Sequence, residues 1–421
     1  MSLSPETSDV IVIGGGVAGL STAMQLAFRG SKVIVLERER IGNGSTGRAA
    51  GLLGQLRGNS EHTRMLIDGV KIVKELEEKA GVEIFVQTGS MRIAESEDRA
   101  AEIAASVAMG KSIGFDIDHM SVEDVAKMLP YMRTDDLLAA CYCPTDGHLQ
   151  PAELVSAYIK VGKSRGVEYK ANSPVIEMLV AGNVVYGVKT QEAEYHAPVV
   201  VNAGGPWSYL NAEMAETVLP SAAIGHYYLT TRPDPAHPVD RLSPAIRNRE
   251  LRIYARPESG GLIVGCYEAE PDQYEMSKLP VDFDMSAMKA SQASLHVAIL
   301  LDAAQQRYPW INPRTPMNIT TGIMTFTPDG RPFCGKMPNF DGLFHCTGFS
   351  GHGIVQSPTI GVIMAELILD GKSSYDISSI NADRYFDSPE LKQRTDIEKS
   401  CFEMAGNYYG KVERPAPEAV S

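Results

Sequence analysis

The sequence predicts an α/β protein in which a domain built on a parallel sheet is interleaved with an α+β domain built on an antiparallel sheet. Three observations carry this expectation. Val10-Ile11-Val12-Ile13 is an unbroken β-branched run, the pattern of a strand covered on both faces, and it leads through a glycine-rich turn into a helix-spaced apolar segment. The same texture, an apolar strand ending in small residues, returns at 199–207 and again at 342–354. Between these pieces lie strand patterns at 83–94, 139–143 and 226–231 and a hairpin, 251–255 with 262–267, turning at Ser259-Gly260-Gly261. The 421 residues, 44% of them hydrophobic, are enough for two or three domains with a sizeable core.

The first element is the most informative. Gly14-Gly15-Gly16-Val17-Ala18-Gly19 is a GxGxxG set directly after a strand; apolar Leu20, Ala23, Met24, Ala27 and Phe28 follow at helical spacing, and Gly30 ends the segment. In a Rossmann-like βαβ unit Gly14 allows the tight turn, Gly16 lets backbone approach a pyrophosphate, and Gly19 lets the helix pack on the strand. The free N–H groups of the helix start, at Val17 and Ala18, then face the phosphates. A second strand, 32–36, finishes in Glu37, eighteen residues after Gly19. A carboxylate there accepts hydrogen bonds from ribose hydroxyls and repels a 2′-phosphate, which favours FAD or NAD over NADP.

The next segment, Arg38 to Leu52, is rich in small residues; Ser45, Thr46, Arg48, Ala49, Ala50, Gly51 and Leu52 are candidates to lie against a flat ring. A second anchor is the strand 199–202 with Ala203, Gly204 and Trp207 behind it, and Val175 joins the candidate set. A third is Thr327-Pro328-Asp329-Gly330-Arg331-Pro332 followed by Gly348, Ser350, Gly351, His352, Gly353 and Ile354, where a glycine-rich turn opens an apolar helix over 355–369 closed by Gly371. A helix N-terminus so placed stabilises negative charge, such as that on a reduced flavin. Arg331 is expected to pair with Asp329 within its turn, His148 to sit on a loop between domains, and Lys336 to be a candidate cation for oxygen activation. A long helix is expected over 285–307. The predicted division is 1–85, 145–222 and 322–386 for the nucleotide domain, 86–144 and 223–321 for the substrate domain, and 387–421 as an extension and tail.

At these motifs the chain resembles the FAD-dependent D-amino-acid oxidase superfamily, which includes glycine oxidase, sarcosine oxidase and dimethylglycine dehydrogenase. The pairing of GxGxxG and Glu37 with TPDGRP and GFSGHGI carries the resemblance over residues 8–386, and Gly44-Ser45-Thr46-Gly47-Arg48-Ala49-Ala50-Gly51-Leu52 is most similar to the N-methyl amino acid branch. The resemblance implies FAD, and the antiparallel sheet as a roof over its ring. His226-Tyr227-Tyr228 is similar to a His-x-Tyr strand whose histidine faces substrate, with Tyr254 as its partner; an imidazole there can accept an ammonium proton. His352 is expected close to the flavin. Arg48 stands where dimethylglycine-type members carry a flavin-bonded histidine, and Gly322 where monomeric sarcosine oxidases carry a flavin-bonded cysteine, so FAD is expected to be non-covalent. The carboxylate-gripping arginine of those oxidases falls near Gly51 and is missing, which requires a clamp elsewhere or a substrate without an α-carboxylate. The chain ends at Ser421 after a Pro- and Glu-rich stretch, so no folate-binding domain is expected and any formaldehyde would leave uncaptured in cis.

Composition narrows the rest. A net charge of −13 argues against nucleic acid, whose phosphates it repels. The six cysteines contain no CxxC, Cys141 and Cys143 share a strand face as small buried residues, and the nine histidines show no ligand spacing, so no metal is expected. No apolar run approaches eighteen residues, and residues 1–9 lack the basic and apolar regions of a leader; a reducing, cytoplasmic setting is expected. Within these bounds the resemblance implies FAD-dependent oxidation of a secondary or tertiary amine, an N-methyl or N-alkyl amino acid, by hydride transfer to flavin N5, with O2 or an electron-transfer protein as acceptor and oligomerisation open. The alternatives are oxidation of glycine or a D-amino acid, a 2-hydroxy-acid dehydrogenase, and a flavin-binding subunit of a larger complex.

Overall fold

The computed structural model describes residues 5–279 and 290–410, except the side chains of Lys278, residues 290–294 and Met317. The beginning of the helix predicted from Met285 and the tail from Lys411 lie outside the described residues.

A six-stranded sheet runs in the order Glu168–Lys170, Val33–Leu36, Val10–Ile13, Val199–Asn202, Leu343–Thr347, Phe333–Lys336, all parallel except the last hairpin. Strand alternation divides its side chains between two layers. Val10, Val12, Val33, Val35 and Val201 face the helices, where they meet Ala23, Leu26 and Ala27 of Val17–Phe28 and Ile360, Ile363 and Met364 of Gly353–Asp370. Ile11, Ile13, Ile34 and Leu36 face the other way, onto Met178, Val185, Val188 and Tyr195 of a smaller antiparallel sheet. All four residues of the first strand are buried, each contributing about 1.5–3 kcal/mol. The helix Gly353–Asp370 is long and apolar enough to cross a membrane by length and composition, which corrects the run-length expectation. Its residues Ile354 to Ala365 are instead largely buried in this core, against Val17–Phe28 and the helix Ser60–Ala80.

The second sheet is mainly antiparallel. Its order is Gln273–Tyr274, Ala222–Thr231, Gly261–Cys266, Ile253–Glu258, Ala245–Asn248, Ser90–Ala94, Ala139–Cys143, Asp118–Met120, with Pro316–Phe326 paired along the whole of Ala222–Thr231. The predicted strand 83–94 is broken in two by Gly89, and the hairpin strands lie about two residues later than expected on one side. Ser259 and Gly260, both with positive φ, make the two-residue turn, so Arg256, Pro257 and Glu258 stay in the strand. The helix Ala290–Arg307 covers the sheet's back, packing Leu300 and Ala304 against Tyr227, Val264 and Ile246. Its last residue, Arg307, is fully buried and pairs with Glu95 and Asp136. A final helix, Arg394–Asn407, lies against Ala222–Thr231 and Pro316–Phe326 and delivers Tyr408 and Tyr409 to the interior.

Candidate active site

A cavity of about 400 Å³ runs from the glycine turn at the parallel sheet to the face of the antiparallel one. That volume lies in the range of small-molecule and cofactor sites.

The nucleotide end is built by close backbone approach. Gly14 has φ +110°, and a Cβ there would fall 2.4 Å from the Ala203 carbonyl oxygen; one on Gly19 would fall 2.0 Å from the Gly14 oxygen. Gly19 therefore sits behind the cavity and packs helix on strand, while Gly14, Gly16, Val17 and Ala18 line it. The helix Val17–Phe28 starts from Gly16 with no side-chain cap; the Val17 N–H donates to Thr46 Oγ1 at 3.2 Å, and the following amides face the cavity. Glu37 is tied in place, Oε2 accepting from Gly15 N at 2.7 Å and Oε1 from Glu39 N at 3.0 Å, and burial raises its pKa. Each oxygen keeps a second lone pair for a ribose hydroxyl. The Arg38 guanidinium lies 4.2 Å over the Trp207 ring, and Val175, Ala203 and Gly204 complete this end.

In the middle, Ser45–Arg48 form a 3-10 turn, pinned by Ser45 Oγ donating to the Ile323 carbonyl. Ala49, Ala50, Gly51 and Leu52 line the wall behind it, and Gly348, Ser350, Gly351, His352, Gly353 and Ile354 line the opposite side at the helix Gly353–Asp370. Gly322 reaches the cavity beside Arg48, whose guanidinium donates to the Asn43 carbonyl and whose pKa burial lowers. His352 Nδ1 lies 3.1 Å from the Ser350 carbonyl and 3.0 Å from Tyr408 Oη. A carbonyl only accepts, so Nδ1 carries the proton. Burial, with Arg57 and Arg247 nearby, holds this imidazole well below its usual pKa, and it is neutral at pH 7.

The roof brings together His226 and Tyr254, Nε2 to Oη at 2.9 Å, with the Tyr267 ring 4.8 Å from the imidazole. Burial first, then neighbouring phenols and Glu268, raise Tyr254 well above 10, so its hydroxyl keeps its proton. Four functional candidates escaped the sequence reading. Arg247, opposite Tyr254 in register, lines the cavity, and its guanidinium makes no hydrogen bond or ion pair among the described residues. Arg57 is near it, its pKa lowered to about 9 by burial and by Arg247; the buried carboxylate that acts on both, Asp146, is held by Ser90 and Gln55. Tyr409 and Glu268 are the others. The one signal for Arg247 was an arginine inside the apolar stretch Ala245-Ile246-Arg247.

Three further expectations change. Lys336 is exposed and paired with Asp341 at 2.8 Å, away from the cavity. Asp329 pairs with Arg384 at 2.9 Å, whereas Arg331 offers it only its backbone N–H. His148 lies buried in a three-stranded sheet, pushed down to about 4 by burial and Arg256.

Residues 9–367 match the model of the family described as DAO, FAD dependent oxidoreductase. The chain is 30% identical over 412 residues to the mitochondrial sarcosine dehydrogenase of Homo sapiens, covering 96% of this chain and 44% of that protein. It is 27% identical to the mitochondrial pyruvate dehydrogenase phosphatase regulatory subunit of Mus musculus, over 90% of this chain and 43% of that one. The chain thus spans less than half the length of these two relatives. Among solved structures it is similar to L-proline dehydrogenase from P. horikoshii, with a TM-score of 0.80 and 25% identity, covering 91% of this chain and 98% of the other.

Proposed function

The chain belongs to the DAO family of FAD-dependent oxidoreductases, and we propose that within it this protein oxidises a secondary or tertiary amine bearing a carboxylate, an N-alkyl amino acid. The observation that carries this reading is the unpaired Arg247 guanidinium set in one cavity with the His226–Tyr254 pair. Sarcosine and proline, named in two of the similar proteins, are both secondary amines with an α-carboxylate.

The residues present fit FAD: a glycine cradle that any Cβ would fill, uncapped helix amides for a pyrophosphate, and a fixed carboxylate at Glu37 for the ribose. Neither Arg48 nor Gly322 offers a histidine or cysteine, so FAD is held without a covalent bond. Bound FAD supplies the two-electron acceptor for the C–H bond next to nitrogen. Arg247 grips the substrate carboxylate through paired N–H donors and thereby orients that bond. Tyr254 and His226 receive the ammonium proton, leaving the neutral amine that oxidation requires. Tyr267, Tyr228 and Tyr409 wall the substrate end and exclude water. The imine product hydrolyses in water to an aldehyde or keto acid and the shorter amine.

The test is anaerobic mixing of the yellow protein with N-alkyl amino acids, D-amino acids and 2-hydroxy acids while following the flavin band. Fast bleaching by N-alkyl amino acids is expected, and bleaching by none of them overturns the reading. Admitting air afterwards separates O2 from an electron-transfer protein as acceptor. A flavin-binding regulatory subunit is the second reading, favoured by the likeness to the phosphatase subunit; it requires that no panel member bleach the flavin.

A further inference from the structure

We propose that Glu268 is a positioning residue for His226: its buried carboxylate holds the Nδ1 proton, so that the ring presents a bare Nε2 to Tyr254. This rests on the reading of His226 and Tyr254 as the pair that handles the amine proton.

Glu268 follows the strand Gly261–Cys266, and its side chain is 2% exposed. Its Oε2 lies 3.7 Å from His226 Nδ1, while its Oε1 has no hydrogen-bond partner; Nδ1 is likewise buried without one. A buried carboxylate oxygen without a hydrogen-bond donor is costly, and so is an orphaned imidazole nitrogen. The neighbouring arginine, Arg252, is turned away, donating to the Gly406 carbonyl at 2.8 Å. Asp272, the other acid on this part of the sheet, is taken by Tyr227 and His296. The carboxylate faces the ring with Oε2 towards the unpartnered Nδ1, and a shift of less than about an ångström makes one ordinary N–H···O bond of the pair.

That bond selects a tautomer. The carboxylate only accepts, so Nδ1 carries the proton and Nε2 keeps a lone pair. At 2.9 Å the Tyr254 hydroxyl must then be the donor to Nε2, which turns the free lone pairs of Oη outward. An ammonium group in the cavity donates to Oη. Its proton passes to Oη as the hydroxyl proton passes to Nε2. Before the transfer there are an ammonium cation, a phenol, a neutral imidazole and a carboxylate; afterwards there are a neutral amine, a phenol, and an imidazolium paired with the Glu268 carboxylate. Charge and protons balance without any outside reagent. Besides Tyr254 and Glu268, the titratable or charged groups lining the cavity around this pair are Tyr228 on the same strand, Tyr267, Tyr409, His352, Arg247 and Arg48; the paired strand Pro316–Phe326 places Gly322 opposite His226.

The experiment compares the FAD-loaded wild type with Glu268→Leu and Glu268→Gln. Histidine ¹⁵N spectra, assigned with His226→Gln, read the tautomer; anaerobic rapid mixing with an N-alkyl amino acid that bleaches the flavin reads the rate. In the wild type His226 is expected to be protonated at Nδ1. Leucine should abolish that preference and slow reduction roughly 100-fold at pH 7, with amine binding nearly unchanged. The defect should close at a pH where the amine enters already neutral. Glutamine still accepts the Nδ1 proton but lacks the charge, and should keep the tautomer while losing roughly tenfold in rate. A wild-type His226 protonated at Nε2, or unchanged rates in both variants, overturns the proposal. Should Glu268→Leu fail to fold, the wild-type tautomer and Glu268→Gln still decide. Should no amine bleach the flavin, the amine reading fails, and the tautomer and its response to Glu268→Leu decide the pairing by themselves.

Discussion

Arg48 and Gly322 touch across the middle of the cavity: a Cβ on Gly322 would stand 3.3 Å from the Arg48 Cβ. Two positions 274 residues apart, at which the sequence resemblance places alternative flavin attachment points, are thus one place in the fold. Neither side chain is a nucleophile suited to the purpose. Acid precipitation is therefore expected to release all of the flavin into the supernatant, and yellow colour retained in the washed pellet would contradict this.

Arg247 carries the carboxylate in our reading. Arg247→Met should raise the substrate dissociation constant by roughly 10- to 100-fold, the worth of a charge-assisted hydrogen bond, while the reduction rate at saturation falls less. An N-methyl amine lacking a carboxylate should bind both proteins alike. Equal losses for both ligands would instead point to a collapsed pocket.

For the proton-handling pair, His226→Ala should slow anaerobic bleaching by roughly 100-fold or more, and Tyr254→Phe by roughly tenfold or more. A rate unchanged by the alanine would return His226 to a packing role.

Gly19→Ala sets a methyl 2.0 Å from the Gly14 carbonyl oxygen and must push the helix Val17–Phe28 off the sheet. The expected product is colourless, with a stability lower by about 1–3 kcal/mol, the usual cost of overpacking. Flavin content per chain and thermal unfolding measure both; full flavin content would count against the close-packing argument.

Acid should unfold the protein through its buried imidazoles. His345 is pushed down to about 3 by burial alone, and His352 also lies well below its usual value. Between about pH 6.5 and the folded pKa the unfolded chain binds protons that the folded chain does not, so stability is full above pH 6.5 and falls as pH drops. His345 alone implies a slope of about 1.4 kcal/mol per pH unit in that window. Denaturant titrations at pH 7.5, 6 and 5 should show the decline, and His345→Gln should flatten it; a slope untouched by that substitution would remove His345 as a cause.

The nucleotide end was legible in the sequence because its geometry is local. Gly14, Gly16 and Glu37 act within one strand-turn-helix-strand unit, and their spacing is the structure. The substrate end is set by register between distant strands. Arg247 matters because it pairs opposite Tyr254, and His226 because it lies opposite Gly322, relations that no single segment displays. The hairpin was misplaced because Arg256-Pro257-Glu258 reads as turn; in the fold Arg256 is buried, donating to the Ala50 carbonyl and paired with Glu258. Tyr408 and Tyr409 were missed because the helix that leads into them, Arg394–Asn407, has no strong apolar stripe and reads as part of a tail.

The long pairing of Ala222–Thr231 with Pro316–Phe326 sets a rule for how this pocket can vary. Side chains along a strand change face at every residue, so losing or gaining one residue between Ala222 and His226 would turn the imidazole to the helix side, and a loss would bring Tyr227 into its place. Substitutions can retune this site by degrees, but insertions and deletions there act all at once. Only the strand ends can take a change in length without moving the imidazole, so the chemistry depends on the count of residues as much as on their identity.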